Sequence, residues 1–447
     1  MLKSILFNCM TVVFCCTIRY CYPQNTFFPL GSGVLNNIQV RNMFNDSATN
    51  QLYAAGGFEI AGNIPASFIA RWDGVAWDSM GSNVTDGQVW DIIKYNGEII
   101  AGGSFEQIGG IQAKSLAKWN GTNWIPFVDA TDPGGATVQK MKIFNNELYV
   151  MGIFDTIAGL PAYNIAKFNG VSWTVFPPLD TTFGSSSIHD AAFFNGELYV
   201  VGVFYNFAQN IDEIARFDGA SWQPVPGFVS TGGTNCLAVY NNELYVGGLF
   251  WTSSGSPGNM LVKFDGNSWV QLPGEPAYQV YCLEEYGGKL YTGGQFGDVA
   301  GLPVTAHAAR WDGTQWESLG GVFDNNVVCF KEINGELYIG GNFRTINGDT
   351  MNGITRYTGA VGVQQLDIMK QISIFPNPAT EKVVINLTGS EHYVIEFIDA
   401  CGLLVYQKVT DGEKSVEINI SDFAGGVYIV RARTDDNATT IRLIKID

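Results

Sequence analysis

Any chemistry in this 447-residue chain would have to come from carboxylates, because other reactive groups are scarce. Histidine occurs only as His189, His307 and His392, in no ligand-like cluster, which leaves little material for a zinc site or a Ser-His-Asp triad. A radical-copper oxidase would need several His ligands that the chain cannot supply. No cofactor, metal site or catalytic residue is therefore assigned. One Glu recurs as Glu98, Glu147, Glu197, Glu243 and Glu336, each just ahead of a Leu-Tyr pair or its equivalent, and an Asp-Gly or Asn-Gly pair recurs as regularly. Active sites are rarely copied along a repeat, so these read as structural residues beside turns.

Residues that break the repeat are better candidates. Where later copies place Cys236, Cys282 and Cys329, the earlier ones have Asp91, Lys140 and Asp190, preceded by Trp90, Gln139 and His189. On inner strands these polar side chains either line a central channel and converge on a ligand or face channel water. A two-carboxylate glycosidase built on Asp91 and Asp190 is possible in kind, but the sequence does not fix their separation. The lack of an acid–base constellation points away from an enzyme without excluding one.

The elements that must position these residues follow from the repeat. An apolar pair, then Gly, then Phe returns seven times, ending at Phe58, Phe105, Phe154, Phe204, Phe250, Phe296 and Phe343, at steps of 46 to 50 residues. Asn96-Gly97, Asn195-Gly196 and Asn334-Gly335 mark one hairpin, and Asp73-Gly74, Asn120-Gly121, Asn169-Gly170, Asp218-Gly219, Asp265-Gly266 and Asp312-Gly313 mark a second. Two hairpins per repeat make a four-stranded blade, and the fold expected is an all-β, seven-bladed β-propeller over residues 24–360. The last copy lacks its outer-strand Trp, while Phe27 to Ser32 resembles the outer-strand endings of other copies, so the N-terminal strand is expected to close the last blade. Trp77, Trp124, Trp173, Trp222, Trp269 and Trp316 share one repeat position and read as packing residues. The three later cysteines recur at the repeat period and read as small fillers, not as a disulfide framework.

Both tight hairpins of a blade fall on one rim, so the longer connections share the other. These include 129–137, 176–187, 205–213 and 251–260. Binding residues favour such loops. Trp251 lies among them, either as an exposed contact for sugar or protein or packed on its own loop.

The Leu-Tyr-Val-Gly-Gly-x-Phe and Ala-Arg-Trp-Asp-Gly-x-x-Trp phrases resemble Rax2-like propeller repeats and, more distantly, kelch repeats, over residues 27–360. The Gly pair is broken in copies three and four, at Met151-Gly152 and Val201-Gly202. Residues 361–371 read as a linker, and 372–447 resemble a type A sorting domain of the type IX secretion system of Bacteroidetes. The motifs are Pro376-Asn377-Pro378, then Gly402, then Gly426 and Tyr428, before an alternating C-terminal strand. Unaided, the same stretch reads as a small β-sandwich. The resemblance implies passage across the outer membrane by the type IX machinery, and release or attachment at the cell surface.

Residues 1–23, with Lys3 and an apolar run from Ile5 to Ile18 that is too short for a span, read as a signal peptide. No other segment is long and apolar enough to span a membrane. The net charge of −17 argues against nucleic acid as a partner. The ligand expected is a glycan or an extracellular protein; a polysaccharide-active enzyme and a passive structural component are the alternatives.

Overall fold

A computed structural model describes residues 26–46, 48–81, 86–179, 186–206, 208–228, 230–252, 258–302, 304–358, 373–387, 392–399, 403–433 and 438–446. The signal peptide and the linker expected from the sequence lie outside these residues, as does Gly402. The described chain is all β. It divides into two compact units, 1–361 and 362–447, each with its own core.

In the first unit the repeats become seven four-stranded antiparallel sheets. Sheet one comprises Val40–Asp46, Gln51–Gly56, Ile69–Trp72 and Trp77–Asp78, in spatial and chain order. Its two hairpins turn at Asn50 and at Asp73-Gly74. Both residue types suit these turns, since Asn50 has φ +54° and Gly74 φ +101°. The turn Asp fixes the second hairpin by accepting the Val75 and Ala76 amides at 2.8 and 2.7 Å, and Asn120, Asn169, Asp218, Asp265 and Asp312 repeat the arrangement. The recurrent Glu pairs across its own sheet with a third-strand cation: Glu98 with Lys118, Glu147 with Lys167, Glu197 with Arg216, Glu243 with Lys263 and Glu336 with Arg356. Such partly exposed pairs contribute only ~0–1 kcal/mol each, and they account for the repetition without catalysis.

Sheet seven is completed from far away in sequence. Val327–Ile333, Glu336–Gly341 and Ile354–Thr358 take Thr26–Pro29 as the fourth strand, with Thr26 opposite Thr358 and Pro29 opposite Thr355. Phe27 seals the joint against Phe323 and Tyr357, at ring-centroid distances of 5.6 and 5.0 Å. Three outer-strand Trp indoles donate to the preceding sheet's outer segment, Trp222 to the Pro177 carbonyl, Trp269 to Pro226 and Trp316 to Pro273, whereas the Trp124 indole has no partner among the described residues. Trp77 donates in the same way to Leu30 at 2.9 Å, so Leu30 stands where another sheet's outer segment would.

The glycine needed in every repeat is the one two residues before Phe, which copies three and four retain as Gly152 and Gly202. A Cβ there would lie about 2 Å from a first-strand carbonyl: 1.9 Å from Gln39 at Gly56, 2.0 Å from Thr137 at Gly152 and 2.0 Å from Ser187 at Gly202. No side chain fits that approach. The apparent break in the Gly pair therefore leaves the essential position intact.

The second unit has a three-stranded sheet (Ser373–Phe375, Lys382–Asn386, Ser415–Asn419) and a four-stranded sheet (Leu404–Val409, Val394–Ile398, Gly426–Arg433, Ala438–Lys445). They share one core that includes Ile374, Val383, Ile385, Phe397, Tyr428 and Val430. Tyr428 donates to the Ala424 carbonyl at 2.8 Å, and Asn377 accepts the Ile444 amide at 2.9 Å. Gly426 opens its strand, and Pro376 and Pro378 lie exposed beside Asn377.

Candidate functional site

Each of the seven first strands carries a β-bulge, read from the register shifts at Val40/Asn42, Val89/Asp91, Val138/Lys140, Ile188/Asp190, Thr234/Cys236, Val280/Cys282 and Val327/Cys329. A bulge inserts one unpaired residue and re-aims its side chain. The inserted residues here are Arg41, Trp90, Gln139, His189, Asn235, Tyr281 and Val328, and all of them line a single cavity of about 690 Å³ together with residues of every first strand. Of the residues singled out in the sequence, Lys140, His189 and Asp190 are thus brought together; Asp91 is buried behind the lining and Trp251 is elsewhere.

Asp91 and Asp190 occupy the position after the bulge and are buried. Asp91 accepts hydrogen bonds from the amide of Ile92, from the amide of Met141 on the next sheet and from the Asn42 side chain on the previous one. Asp190 accepts from the Ala191 amide and from Leu237 on the next sheet, both at 2.9 Å, and holds Lys142 at 2.6 Å. Both carboxylates therefore staple neighbouring first strands. Burial raises the Asp91 carboxyl above its usual range, against the opposing pull of Lys140 and the amide donors. In the later copies the position is filled by Cys236, Cys282 and Cys329, which are free thiols. Cys329 reaches back to the Val40 carbonyl of sheet one, and burial pushes its thiol up to about 12.

Lys140 projects into the same cavity, and among the described residues its ammonium has no hydrogen bond and no ion pair. Burial works to lower its pKa, but Asp91, Asp190 and Glu284 outweigh that and hold it above the ordinary lysine value. Arg41 stacks on the Trp90 ring at 3.7 Å from the centroid and donates to Gln88 at 3.2 Å; burial lowers its guanidinium to about 10.

His189 is held from both sides. Its Nδ1 is 2.8 Å from the Thr234 carbonyl and its Nε2 is 2.8 Å from the Ser187 hydroxyl, which selects a neutral ring with the proton on Nδ1. Burial accordingly lowers its pKa below 6.5. The unfolded chain binds that proton more readily, so stability is expected to fall as pH drops from 7.5 to 5.5. His189→Gln should remove part of that fall. Urea midpoints of both proteins at the two pH values check this, and an equal fall in both would dissociate His189 from it.

Among the described residues, the expected loops at 205–213 and 251–260 prove to be strand at both ends, up to Asn206 and from Ile211 in one, up to Thr252 and from Asn259 in the other. Sheets four and five extend their central hairpins, with Glu197–Asn206 and Ile211–Phe217 in one, Ser230–Tyr240 and Glu243–Thr252 in the other. Elsewhere short ribbons such as Gln107–Ile108 with Ile111–Gln112 occupy the equivalent connection. Trp251 is on the extended strand, opposite Thr231 and Asn259, and is 47% exposed, which favours a contact residue over one packed on its own loop. Between the two extensions lies Glu213, which the sequence does not single out. It is fully buried, accepts from Ser230 at 2.6 Å and Tyr205 at 3.2 Å, and is raised by burial; its neighbour Asp212 is raised for the same reason. An Asp-Glu pair in a connection reads as solvated, and only the strand extension buries it. Among the described residues, no group of three or more His, Cys, Asp or Glu could hold a metal ion. Nor is any helix among them long and apolar enough to cross a membrane.

The C-terminal unit defines an exported protein first of all. Residues 373–446 match the secretion system C-terminal sorting domain, so the chain carries the tail of type IX cargo and is delivered to the cell surface or the extracellular space. No curated protein matches it in sequence. Among solved structures it is similar to a fungal alcohol oxidase of the AA5 family in complex with copper, at 13% identity and a TM-score of 0.37, covering 94% of this chain and 98% of that one. It is also similar to a glycoside hydrolase, at 11% identity and a TM-score of 0.27, covering 94% and 97%. Both likenesses are weak.

Proposed function

We propose that residues 24–360 form a seven-bladed β-propeller that serves as an exported binding module for a glycan or extracellular protein, carried by a C-terminal β-sandwich that engages the type IX machinery. The ring reading is supported by stapling between successive first strands, by the Cys329 to Val40 contact that returns sheet seven to sheet one, and by the Trp77 to Leu30 bond. The resemblance to Rax2-like and kelch repeats agrees with it. The single observation that favours binding over catalysis is that Asp91 and Asp190 each accept two backbone amides and one side-chain donor, which ties them to neighbouring strands as structural groups. Residues 1–23 serve as the signal peptide in this reading.

The binding face is the rim bearing the extended hairpins, with Trp251 as its exposed aromatic. Incubating the full chain with a panel of insoluble and soluble polysaccharides, and scoring both retention and released fragments, tests the proposal. Retention without fragments is expected, weakened at least about tenfold by Trp251→Ala, in line with the loss of one stacked aromatic. Fragments released by the wild type and lost in Asp91→Asn would establish an enzyme instead. Absence of both would turn the search to protein partners.

A further inference from the structure

We infer that the cavity lined by the seven first strands is a second, separate site, and that its wall from sheets one to three takes the carboxylate of an acidic sugar. The cavity's polar groups are divided unevenly. On the later sheets they are occupied: His189 bonds Ser187 and Thr234, Asn235 donates to the Val280 carbonyl at 2.9 Å, and Tyr281 donates to Gln295 at 3.1 Å. On the first three sheets several atoms are not. Arg41 Nε, Trp90 Nε1 and Gln139 Oε1 are buried atoms without a hydrogen-bond partner among the described residues, and Lys140 Nζ also has none.

Leaving such groups unmet is costly, each buried orphan forfeiting about 1–3 kcal/mol. The four side chains stand on or beside adjacent bulges and line one cavity, and their unmet groups are lopsided: three donors, two of them on cations, against one acceptor. A carboxylate accepts and does not donate, so it matches Arg41, Trp90 and Lys140. A hydroxyl beside that carboxylate supplies the proton Gln139 needs. A sugar acid has both groups on adjacent or nearby carbons, and the cavity falls within the roughly 300–1,000 Å³ of small-molecule sites.

The charges facing this space agree with an anion. The lining presents Arg41, Lys140, Lys142 and Lys331 against Asp190 and Glu284, with Asp91 buried behind it and His189 neutral. Asp190 is held by Lys142 and Glu284 by Lys331 at 3.6 Å, and Asp91 by its three N–H donors. Four cations against Asp91, Asp190 and Glu284 leave one positive charge in excess around the cavity, in a chain whose net charge is −17. A cationic recess in so acidic a protein would concentrate small anions that the outer surface repels.

Calorimetric titration of the full chain with galacturonate, glucuronate, galactose and acetate at pH 7 and low salt tests the site. At least one uronate should bind at least tenfold more tightly than galactose and than acetate. Lys140→Gln should weaken that binding at least tenfold with the unfolding midpoint kept as a folding control. Gln139→Glu, which sets a like charge beside the ligand, should abolish it, and so serves if Lys140→Gln does not fold. The inference is overturned if neither uronate binds, if galactose binds as well, if acetate binds as well, or if both variants bind like the wild type. Because monosaccharides read the cavity and polymer retention reads the rim, either result stands without the other.

Discussion

A chain that begins at Gly31 is expected to lose at least about 5 kcal/mol relative to one that begins at Thr26, or to stop unfolding in a single cooperative transition. Truncating one buried Phe typically costs about 3–5 kcal/mol, and this deletion removes Phe27 together with the whole outer strand of sheet seven and the Leu30 carbonyl that Trp77 uses. It also uncovers Ile354–Thr358 as an open edge, so the shortened protein should associate at micromolar concentration. Urea denaturation and light scattering of the two proteins measure both effects. An unchanged midpoint would mean that Thr26–Pro29 is a dispensable addition, and the closed-ring reading would fall with it.

Replacing Asp91 by Ala should cost about 3–5 kcal/mol, as breaking a buried charged network does, because the Met141 amide, the Ile92 amide and the Asn42 side chain all lose their acceptor at once. Asp91→Asn keeps one acceptor oxygen and should cost less. The order Ala worse than Asn worse than wild type, read from denaturation midpoints, is the signature of a staple. A catalytic carboxylate would behave differently: Asn would abolish turnover while leaving the midpoint nearly unchanged, since active-site carboxylates are seldom held by so many backbone donors.

Much of the architecture is legible in the sequence because tight turns demand particular residues. Asn-Gly and Asp-Gly pairs locate the second hairpin of the first six sheets and the first hairpin of three, and the seventh sheet's missing Trp points to its partner at Phe27. The candidate site is legible only in part. Asp91, Lys140 and Asp190 stand out as breaks in a pattern, but their roles depend on a bulge, and a bulge is a matter of pairing register that no local composition announces. That is why Arg41, whose neighbours in sequence are unremarkable, enters the cavity unannounced, and why an apparently broken Gly pair at Met151-Gly152 breaks nothing. The buried Glu213 was hidden by a different cause. Connections of similar length fold as short ribbons in most sheets and as extended hairpins in sheets four and five, and the choice rests on tertiary contacts such as Ser230 to Glu213.

The pairing of Thr26 with Thr358 also sets an order of events in time. A strand emerging first from the ribosome or the export channel finds its partner only after more than 300 further residues have followed. Until then it is a ladder without a mate, and each completed sheet behind it adds to a row that has no end. Contacts of such sequence separation form slowly, since the loop they close must be gathered first. The last step of folding is therefore expected to be a docking reaction between the two extremities of the unit. Its waiting period is the interval in which a chaperone in the periplasm has most to protect and a second chain has most to steal.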